Sequence, residues 1–260
     1  MIISWNINSI RLRLHSLCNL IEKLNPTIVL LQEIKCPTDK FPYTEFSSRG
    51  YHIKVLGEKS YNGVAILSRI PLQETVISLN SFSIKQQARY IEATVEIIKF
   101  TCKIISVYIP NGKALNTPQF LHKIHFYHKL EERLNYLLDN KYHLIVGGDF
   151  NVAPEDIDVY KRQSNEQILL CSDQERESFR RLLHLGLIDT FREFNSKKKE
   201  FSWWDYRYGS WEYNRGMRID HILASPLVID QITAVEIISN IRCGICKTSD
   251  HAPVCIHLLK

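Results

Sequence analysis

The chain has 260 residues, of which 45% are hydrophobic and 23% are charged, and its formal net charge is +5. This length can bury one large core, and no Pro-, Gly- or Ser-rich stretch or block of charge divides it. We therefore expect a single domain over residues 1–260. The longest apolar runs are too short to cross a bilayer, so no membrane partner is expected. The mild positive charge permits DNA binding without indicating it.

The start of the chain and its cysteines point to a reducing compartment. Met1 leads directly into an apolar strand-like run, without the basic region, apolar stretch and cleavage site of a secretory signal. Seven cysteines, an odd number at irregular spacings, favour reduced thiols over a disulfide framework. Cys243 and Cys246 form a Cys-x-x-Cys pair, but without a second pair a structural role is favoured over zinc binding. We expect a cytoplasmic protein.

Ten short segments rich in β-branched residues are typical of strands, and three segments have helical periodicity or caps. In chain order we predict strand 1–7, helix 13–24, strands 27–32, 51–56, 63–68, 89–97 and 101–108, helix 118–138 capped by Thr117, strand 143–148, a helix from the capping box of Ser172 and Glu175 to Gly186, and strands 218–224, 232–238 and 252–258. Several strands are apolar on both faces, so a layer must cover each side.

Polar residues at the ends of these strands constrain the topology. Strand carboxyl ends carry Asn6, Glu33, Tyr108 and Asp149, whereas Asp220 and His251 come near strand beginnings. If all six share one site, some strands must run opposite to others. This excludes a purely parallel doubly wound sheet and favours an α/β fold, in which two mixed β-sheets pack face to face with helices outside.

The same residue types suit hydrolysis of a phosphate ester. Carboxylate and amide oxygens are hard ligands typical of Mg²⁺ or Mn²⁺ sites, and the absence of a paired Cys/His ligand set argues against zinc. Glu33 is the best single ligand candidate. Asn6 could add an oxygen or position Glu33, and Asp250 could complete the shell. Such a metal would neutralise charge on phosphorus and on the departing oxygen.

Proton transfer and phosphate binding have candidates of their own. Asp149 is the predicted general base for water. Asn151 lies two residues further on and, if the segment is extended, projects to the same side to hold a phosphate oxygen. His251 is predicted to donate to the phosphate with its ring oriented by Asp220. Tyr108 could place its hydroxyl near the scissile bond.

Basic residues follow the polar strand ends, where a phosphate backbone could use them. These are Arg11, Arg13, Lys35, Arg89, Lys113, Arg207, Arg215 and Arg218.

Eight motifs occur in the order found in the bacterial exodeoxyribonuclease III family. They are WNINSIR at 5–11, LQEIK at 31–35, YIPNG at 108–112, GDFN at 148–151, LGLIDTFR at 185–192, FSW at 201–203, RID at 218–220 and SDHAP at 249–253. The chain resembles this family from end to end. The resemblance implies a four-layer sandwich of the DNase I type. It also implies a base-excision repair enzyme that incises double-stranded DNA 5′ to abasic sites and acts at 3′ ends as an exonuclease and phosphatase.

The resemblance agrees with the roles argued above and adds substrate contacts. We assign catalysis to Tyr108, Asp149, Asn151, Asp220 and His251. We assign the metal site to Asn6, Glu33, Asp149, Asn151 and Asp250. We assign substrate contacts to Asn8, Arg89, Asn111, Trp203, Met217 and Ile219.

Two of these residues have a specific counterpart in the family. By the resemblance, Trp203 corresponds to the aromatic residue beside the abasic sugar. A small apolar pocket at this place would admit an extruded deoxyribose and reject an intact nucleotide. Asn8 stands where many eukaryotic relatives have an aspartate metal ligand.

Two alternative functions use the same scaffold. A phosphoesterase acting on a phospholipid or inositol phosphate would share the metal chemistry. Trp203, the arginines after Asn6 and the lack of an apolar insertion for a membrane surface argue against it. A DNA-binding relative without activity would have lost catalytic residues, and none of the five assigned above is missing. We expect a monomeric repair nuclease acting on double-stranded DNA.

Overall fold

The computed structural model describes residues 1–79, 87–97, 100–161, 167–243 and 248–259. These ranges contain twelve strands and six α-helices. In order they are β1 (Ile2–Asn6), α1 (Ile10–Leu24), β2 (Ile28–Gln32), α2 (Tyr43–Ser47), β3 (His52–Leu56), β4 (Val64–Ser68), β5 (Gln73–Val76), β6 (Tyr90–Ile97), β7 (Phe100–Tyr108), α3 (Pro118–Asp139), β8 (His143–Asp149), α4 (Asp173–His184), β9 (Ile188–Asp189), α5 (Thr190–Phe194), β10 (Asp220–Ala224), α6 (Pro226–Ile229), β11 (Ile232–Ile237) and β12 (Val254–Leu258).

The strands form two six-stranded mixed sheets. The first has the order β11-β12-β1-β2-β4-β3, and the second has the order β5-β6-β7-β8-β10-β9. The pairs β1–β2 and β7–β8 are parallel, and the other pairs are antiparallel. This arrangement confirms the predicted pair of mixed sheets.

The main core lies between the two sheets. Ile2 and Leu30 of the first sheet belong to the same buried cluster as Ile104 and Ile145 of the second. Because successive side chains of a strand point to opposite faces, the neighbouring apolar residues of the same strands face outward and need cover. The central strands of each sheet are therefore buried on both faces.

Helices supply the two outer layers. On the first sheet, Leu17 of α1 packs in one cluster with Trp5 and Val29. On the second sheet, residues of α3 and α4 cluster with Val107 and Val146. The resulting order of layers, helix, sheet, sheet and helix, is the one predicted.

The predicted element limits differ from the structure where backbone chemistry intervenes. The strand predicted at 252–258 begins at Val254, directly after Pro253, whose nitrogen cannot donate to a ladder. The strand predicted at 218–224 begins at Asp220. Five short elements escaped sequence analysis, namely β5, β9, α2, α5 and α6. They have two to five residues each, too few to show a period.

Five cysteines in the described ranges are buried and form no disulfide, in agreement with the expectation of reduced thiols. They are Cys18, Cys36, Cys102, Cys171 and Cys255. The prediction for the Cys243 and Cys246 pair depends on Cys246, which lies outside the described residues. No helix in the described part of the chain is long and apolar enough to cross a membrane.

Candidate active site

The carboxyl ends of β1, β2 and β8 bring three of the predicted residues into direct contact. Asn6 ends β1, Asp149 ends β8, and Glu33 directly follows β2. The Asn6 amide nitrogen donates to Glu33 Oε1 at 2.8 Å and to Asp149 Oδ2 at 2.9 Å. This one side chain therefore links carboxylates from both sheets at a shared edge.

Antiparallel pairing brings Asp220 to the same edge. Asp220, the first residue of β10, lies opposite Asp149, the last residue of β8. On its other side β8 pairs with β7, and this pairing requires glycine at position 148. A Cβ there would lie 1.9 Å from the carbonyl oxygen of Val107. A strand beginning and a strand end thus meet, as the sequence pattern required.

His251 lies between these two carboxylates. Its Nδ1 is 2.9 Å from Asp220 Oδ2, and its Nε2 is 3.8 Å from Asp149 Oδ2. The Ser249 hydroxyl accepts from the His251 backbone N–H and donates to the Asn6 carbonyl. The ring is therefore fixed from the backbone side and through Asp220.

Charge interactions set the protonation of this pair. Burial lowers the pKa of His251, but the carboxylates of Asp220 and Asp149 outweigh it and raise the pKa well above its usual range. Burial also raises the pKa of Asp149, and the charges of Asp220 and Glu33 add to this shift while His251 opposes it. His251 is consequently a cationic donor, and Asp149 is a carboxylate with a high proton affinity.

Glu33 is held in the ionised form. Burial would raise the pKa of Glu33, but the Lys35 ammonium and the hydrogen bond from Asn6 lower it overall. Lys35 Nζ is 2.8 Å from Glu33 Oε2. In this structure the Lys35 ammonium therefore pairs with a carboxylate of the site, and a phosphate would have to compete with Glu33 for it. Tyr108 hydrogen-bonds to Glu33, and burial followed by the Glu33 charge raises the pKa of its phenol. Tyr108 therefore stays a neutral donor.

The donor set fits a hard divalent cation. Ligand atoms of Glu33, Asp149 and His251 lie within 4.8 Å of one another. His251 Nδ1 is already paired with Asp220 at 2.9 Å, and the carboxylates around the ring raise its pKa, which favours the ring as a donor and leaves the carboxylates as the metal ligands. The adjacent amide oxygen of Asn6 accepts from the Asn8 backbone at 3.1 Å. Oxygen ligands with excess negative charge are typical of magnesium and manganese sites.

The backbone at Asn151 differs from the prediction. The strand ends at Asp149, and Asn151 adopts a left-handed conformation with φ of 49°, so the assumed extended segment is wrong. A tight turn still keeps the two residues together, because the Asn151 backbone N–H donates to Asp149 Oδ1 at 2.9 Å. Asn111 donates to the Asn151 amide oxygen at 3.0 Å, which joins the two side-chain amides.

Asp250 contacts the predicted substrate residues. Its carboxylate accepts from Trp203 Nε1 at 3.1 Å and from the Asn8 amide at 2.8 Å. Within the described residues it is outside the convergent set of Glu33, Asp149 and His251. The structure thus places Asp250 between Trp203 and Asn8.

The remaining predicted substrate residues flank this edge. Met217 and Trp203 form an antiparallel bridge and pack partly buried on a small cluster that contains Ile219. Ile219 is 1% exposed, so it supports this surface from below. On another side, the Arg89 guanidinium lies 4.5 Å from the centre of the Tyr108 ring.

Arg218 was predicted among the residues that could contact a phosphate backbone, and this prediction is wrong. It is fully buried, with Nε 2.7 Å from Asp158 Oδ1 and a terminal nitrogen 2.8 Å from Asp189 Oδ2. Two buried carboxylates require this cation, so it cannot reach a substrate.

Two supporting groups were not predicted from the sequence. Ser202 donates to Asp220 Oδ2 at 2.7 Å and accepts from the backbone of residues 219 and 220. Lys123 is fully buried in an ion pair with Glu175, and it donates to the Asn151 carbonyl at 2.6 Å. A signal was present, since residue 123 falls on the apolar stripe of α3 between Phe120 and Tyr127.

The fold and the site define a class, the two-sheet α/β phosphoesterases with a carboxylate and histidine centre at one sheet edge. The sequence model of the endonuclease/exonuclease/phosphatase family matches residues 3–251, and the chain belongs to this family. It is 36% identical to exodeoxyribonuclease III of Haemophilus influenzae over 97% of each protein. These matches confirm the resemblance seen in the motifs.

Solved structures give the same result. The 3′ phosphatase NExo from Neisseria, bound to a product DNA hairpin, superimposes with a TM-score of 0.94 at 36% identity, over 99% of this chain and 98% of that chain. An AP endonuclease from Archaeoglobus fulgidus gives a TM-score of 0.92 at 30% identity, over 99% and 98% of the two chains. Both comparisons confirm the predicted fold.

Proposed function

We propose that this protein is a metal-dependent DNA phosphodiesterase of base-excision repair. It incises double-stranded DNA 5′ to abasic sites, and it removes nucleotides or blocking groups from 3′ ends. The observation that carries this proposal is the position of His251 between Asp220 and Asp149, at the edge where Asn6 joins Asp149 to Glu33. The exodeoxyribonuclease, phosphatase and AP endonuclease relatives support DNA as the substrate.

Metal binding is assigned to the oxygen ligands of the site. Glu33 is the primary ligand of Mg²⁺ or Mn²⁺, with Asn6, Asp149 and Asn151 as the other members. Asp250, the fifth predicted ligand, lies outside the convergent carboxylates and can serve the ion only from the side of Asn8 and Trp203. When bound, the ion supplies positive charge that stabilises the phosphate and the departing oxygen.

Proton transfer is assigned to Asp149. Its carboxylate takes a proton from water, the water oxygen forms a bond to phosphorus, and the bond from phosphorus to the 3′ oxygen breaks. The raised pKa of Asp149 suits a base that works near neutral pH. Endonuclease, exonuclease and phosphatase products all come from this one bond cleavage with different 3′ groups.

Cationic and neutral donors bind the phosphate. The His251 Nε2–H donates to a phosphate oxygen, and Asp220 keeps the imidazolium charged and oriented. Asn151 and Asn111 hold a further phosphate oxygen, and the Tyr108 hydroxyl lies near the scissile bond. Tyr108 and His251 both remain protonated in this environment, as a donor must.

Substrate selection is assigned to the surface around Trp203. Trp203 and Met217 pack on the apolar cluster that contains Ile219. We assign to this surface the recognition of a deoxyribose without its base. Asn8 and Arg89 contact the DNA on either side. The protein works as a monomer in the cytoplasm, without a membrane partner.

The first test is cleavage of a labelled duplex that carries one abasic-site analogue, beside an intact control, with Mg²⁺ or with EDTA. A metal-dependent cut immediately 5′ to the lesion is expected on a denaturing gel. A ladder from the 3′ end alone would make exonuclease action the principal activity. No cleavage of either duplex would refute DNA as the substrate.

The pocket is tested with Trp203→Ala on two substrates. We expect a larger loss of abasic-site incision than of phosphate release from a 3′-phosphorylated nick, because only the first reaction requires the extruded sugar to be recognised. Leu227→Ala, an exposed apolar change in α6, is the control. Equal losses on both substrates would reduce Trp203 to a packing residue.

A further inference from the structure

Three donor side chains of different chemistry meet on the other face of the first sheet, under α1. Glu236 of β11 lies directly opposite Cys255 of β12, and His257 is two residues further along β12. Residues two apart on a strand, and residues opposite each other on neighbouring strands, share one face. Cys255 belongs to the apolar cluster that α1 covers. None of the three residues belongs to the catalytic set.

The donor atoms of these three side chains converge. His257 Nε2 is 2.8 Å from Glu236 Oε1 and 3.8 Å from Cys255 Sγ, and all three donors lie within 4.8 Å of one another. Tetrahedral zinc with bonds of about 2.3 Å to sulfur and about 2.0 Å to nitrogen separates these two atoms by about 3.5 Å. The sulfur and nitrogen therefore already have nearly the spacing that zinc requires.

The three donor side chains form a path from solvent to the core, because their exposure rises from Cys255 through His257 to Glu236. Cys255 is fully buried, the His257 side chain is 33% exposed, and the Glu236 side chain is 53% exposed. Glu236 also lines a groove of about 500 Å³ between α1 and the end of β11. An ion can thus enter from solvent past the carboxylate, which is the ligand with most room to adjust.

We propose that Glu236, Cys255 and His257 form a second metal site, which binds zinc and fastens the edge strand β11 to β12. A thiolate, an imidazole and a carboxylate are a zinc donor set, whereas magnesium prefers oxygen ligands alone. Three protein ligands leave one position for water. On binding, the Cys255 thiol gives its proton to solvent, and the neutral His257 ring offers the Nε2 lone pair. The ion stabilises the folded chain because the unfolded chain does not present these donors together.

Cobalt titration of the reduced, untagged full-length chain tests this site. A thiolate ligand gives Co²⁺ a charge-transfer absorption in the near ultraviolet that the oxygen ligands at Glu33 cannot produce. We expect this band to saturate at one equivalent, to persist in Glu33→Ala and to vanish in Cys255→Ser. Competition with zinc should abolish it, whereas competition with magnesium should not.

Two variants separate the proposed site from other thiols. Replacing both Cys243 and Cys246 with serine should leave the band unchanged. His257→Ala changes a partly exposed position and spares the core. It should weaken cobalt binding by at least about 10- to 100-fold, the loss typical when a residue that only hydrogen-bonds to a metal ligand is removed. Zinc should raise the thermal unfolding midpoint of the unmodified chain but not of His257→Ala.

Three outcomes would overturn the proposal. One is the absence of a band, the second is a band that depends on Cys243 or Cys246, and the third is unchanged cobalt affinity in His257→Ala. None of these outcomes bears on the nuclease, whose activity is measured separately with magnesium.

Discussion

Two buried clusters each combine aspartates with a basic side chain, but they shift the aspartate pKa values in opposite directions. In the first, Arg218 forms close ion pairs with Asp158 and Asp189. In the second, His251 pairs closely with Asp220 but stays 3.8 Å from Asp149. The Arg218 cluster has a direct partner for each carboxylate. The His251 cluster leaves Asp149 without a close cation.

The pKa values follow this difference in pairing. Burial tends to raise the pKa of Asp158 and of Asp189, but Arg218 outweighs it and holds both below their usual range. For Asp149, burial and neighbouring carboxylates prevail over His251, and the pKa rises. Buried carboxylates thus form a stable ion-pair cluster around Arg218, where each has a cation in direct contact. Asp149, whose nearest cation is 3.8 Å away, has the raised pKa of a base.

The largest expected effect is on catalysis at the incompletely paired carboxylate. Asp149→Asn should lower turnover by about 10²- to 10⁴-fold, because the amide cannot accept the proton from water. Affinity for DNA and the free energy of unfolding should change little. Steady-state kinetics, DNA-binding assays and urea unfolding measure the three quantities. Asp139→Asn, on the exposed end of α3, is the control, and near-normal turnover in Asp149→Asn would exclude it as the base.

The matching change in the paired cluster should affect stability. Arg218→Met should lower the free energy of unfolding by about 3–5 kcal/mol, because it removes the guanidinium from buried Asp189 and leaves buried Asp158 with Arg192 alone. Urea unfolding at neutral pH gives the value. Arg207→Ala removes an exposed pair with Asp205 and should have little effect. If the two variants lost equal stability, burial of the Arg218 cluster would have no energetic consequence.

A smaller effect is expected on metal dependence. Glu33→Ala should raise the Mg²⁺ concentration for half-maximal activity by at least about tenfold, because it removes a carboxylate that the Lys35 ammonium and the Asn6 amide hold in the ionised form. Activity titrations against Mg²⁺ measure this shift. Glu236→Gln, a change in the proposed zinc site, should leave the titration unaltered. An unchanged titration in Glu33→Ala would move the primary ligand elsewhere.

Acidification should weaken the paired cluster gradually. The folded-state pKa values of Asp158 and Asp189 lie below their unfolded values, so their stabilisation is present above about pH 4 and is lost as pH falls through the folded values. The loss is at most about 1.4 kcal/mol per pH unit for each proton taken up. Urea unfolding from pH 5 to pH 3 should show a steeper decline for the unmodified chain than for Arg218→Met. Parallel declines would contradict this assignment.

Much of the site was predictable because its residues come directly after or before apolar strands. Asn6, Glu33 and Asp149 follow strands whose alternation and length are local properties, and the structure brings them together at one edge. The misplaced residues depend on non-local contacts. Arg218 has the sequence context of a phosphate ligand, and only the proximity of Asp158 and Asp189 shows that it is occupied.

Backbone conformation was the other source of error. Asn151 was expected on an extended segment, but β8 ends two residues earlier and the chain turns through a left-handed residue. Asparagine tolerates this conformation better than most residues, yet its presence does not specify it. The contacts of Asn151 with Asn111 and Asp149 fix the turn.

The sequence by itself determined the layered α/β fold and the kinds of side chain at the strand ends, because hydrophobic period and strand length are read within a few residues. Tertiary structure alone decided which of these side chains meet. The antiparallel register of β8 and β10 places Asp220 opposite Asp149, and the packing of the two sheets brings Asn6 to Asp149. These are contacts between residues 71 to 143 positions apart, and their free energy depends on the whole core that holds the strands in place.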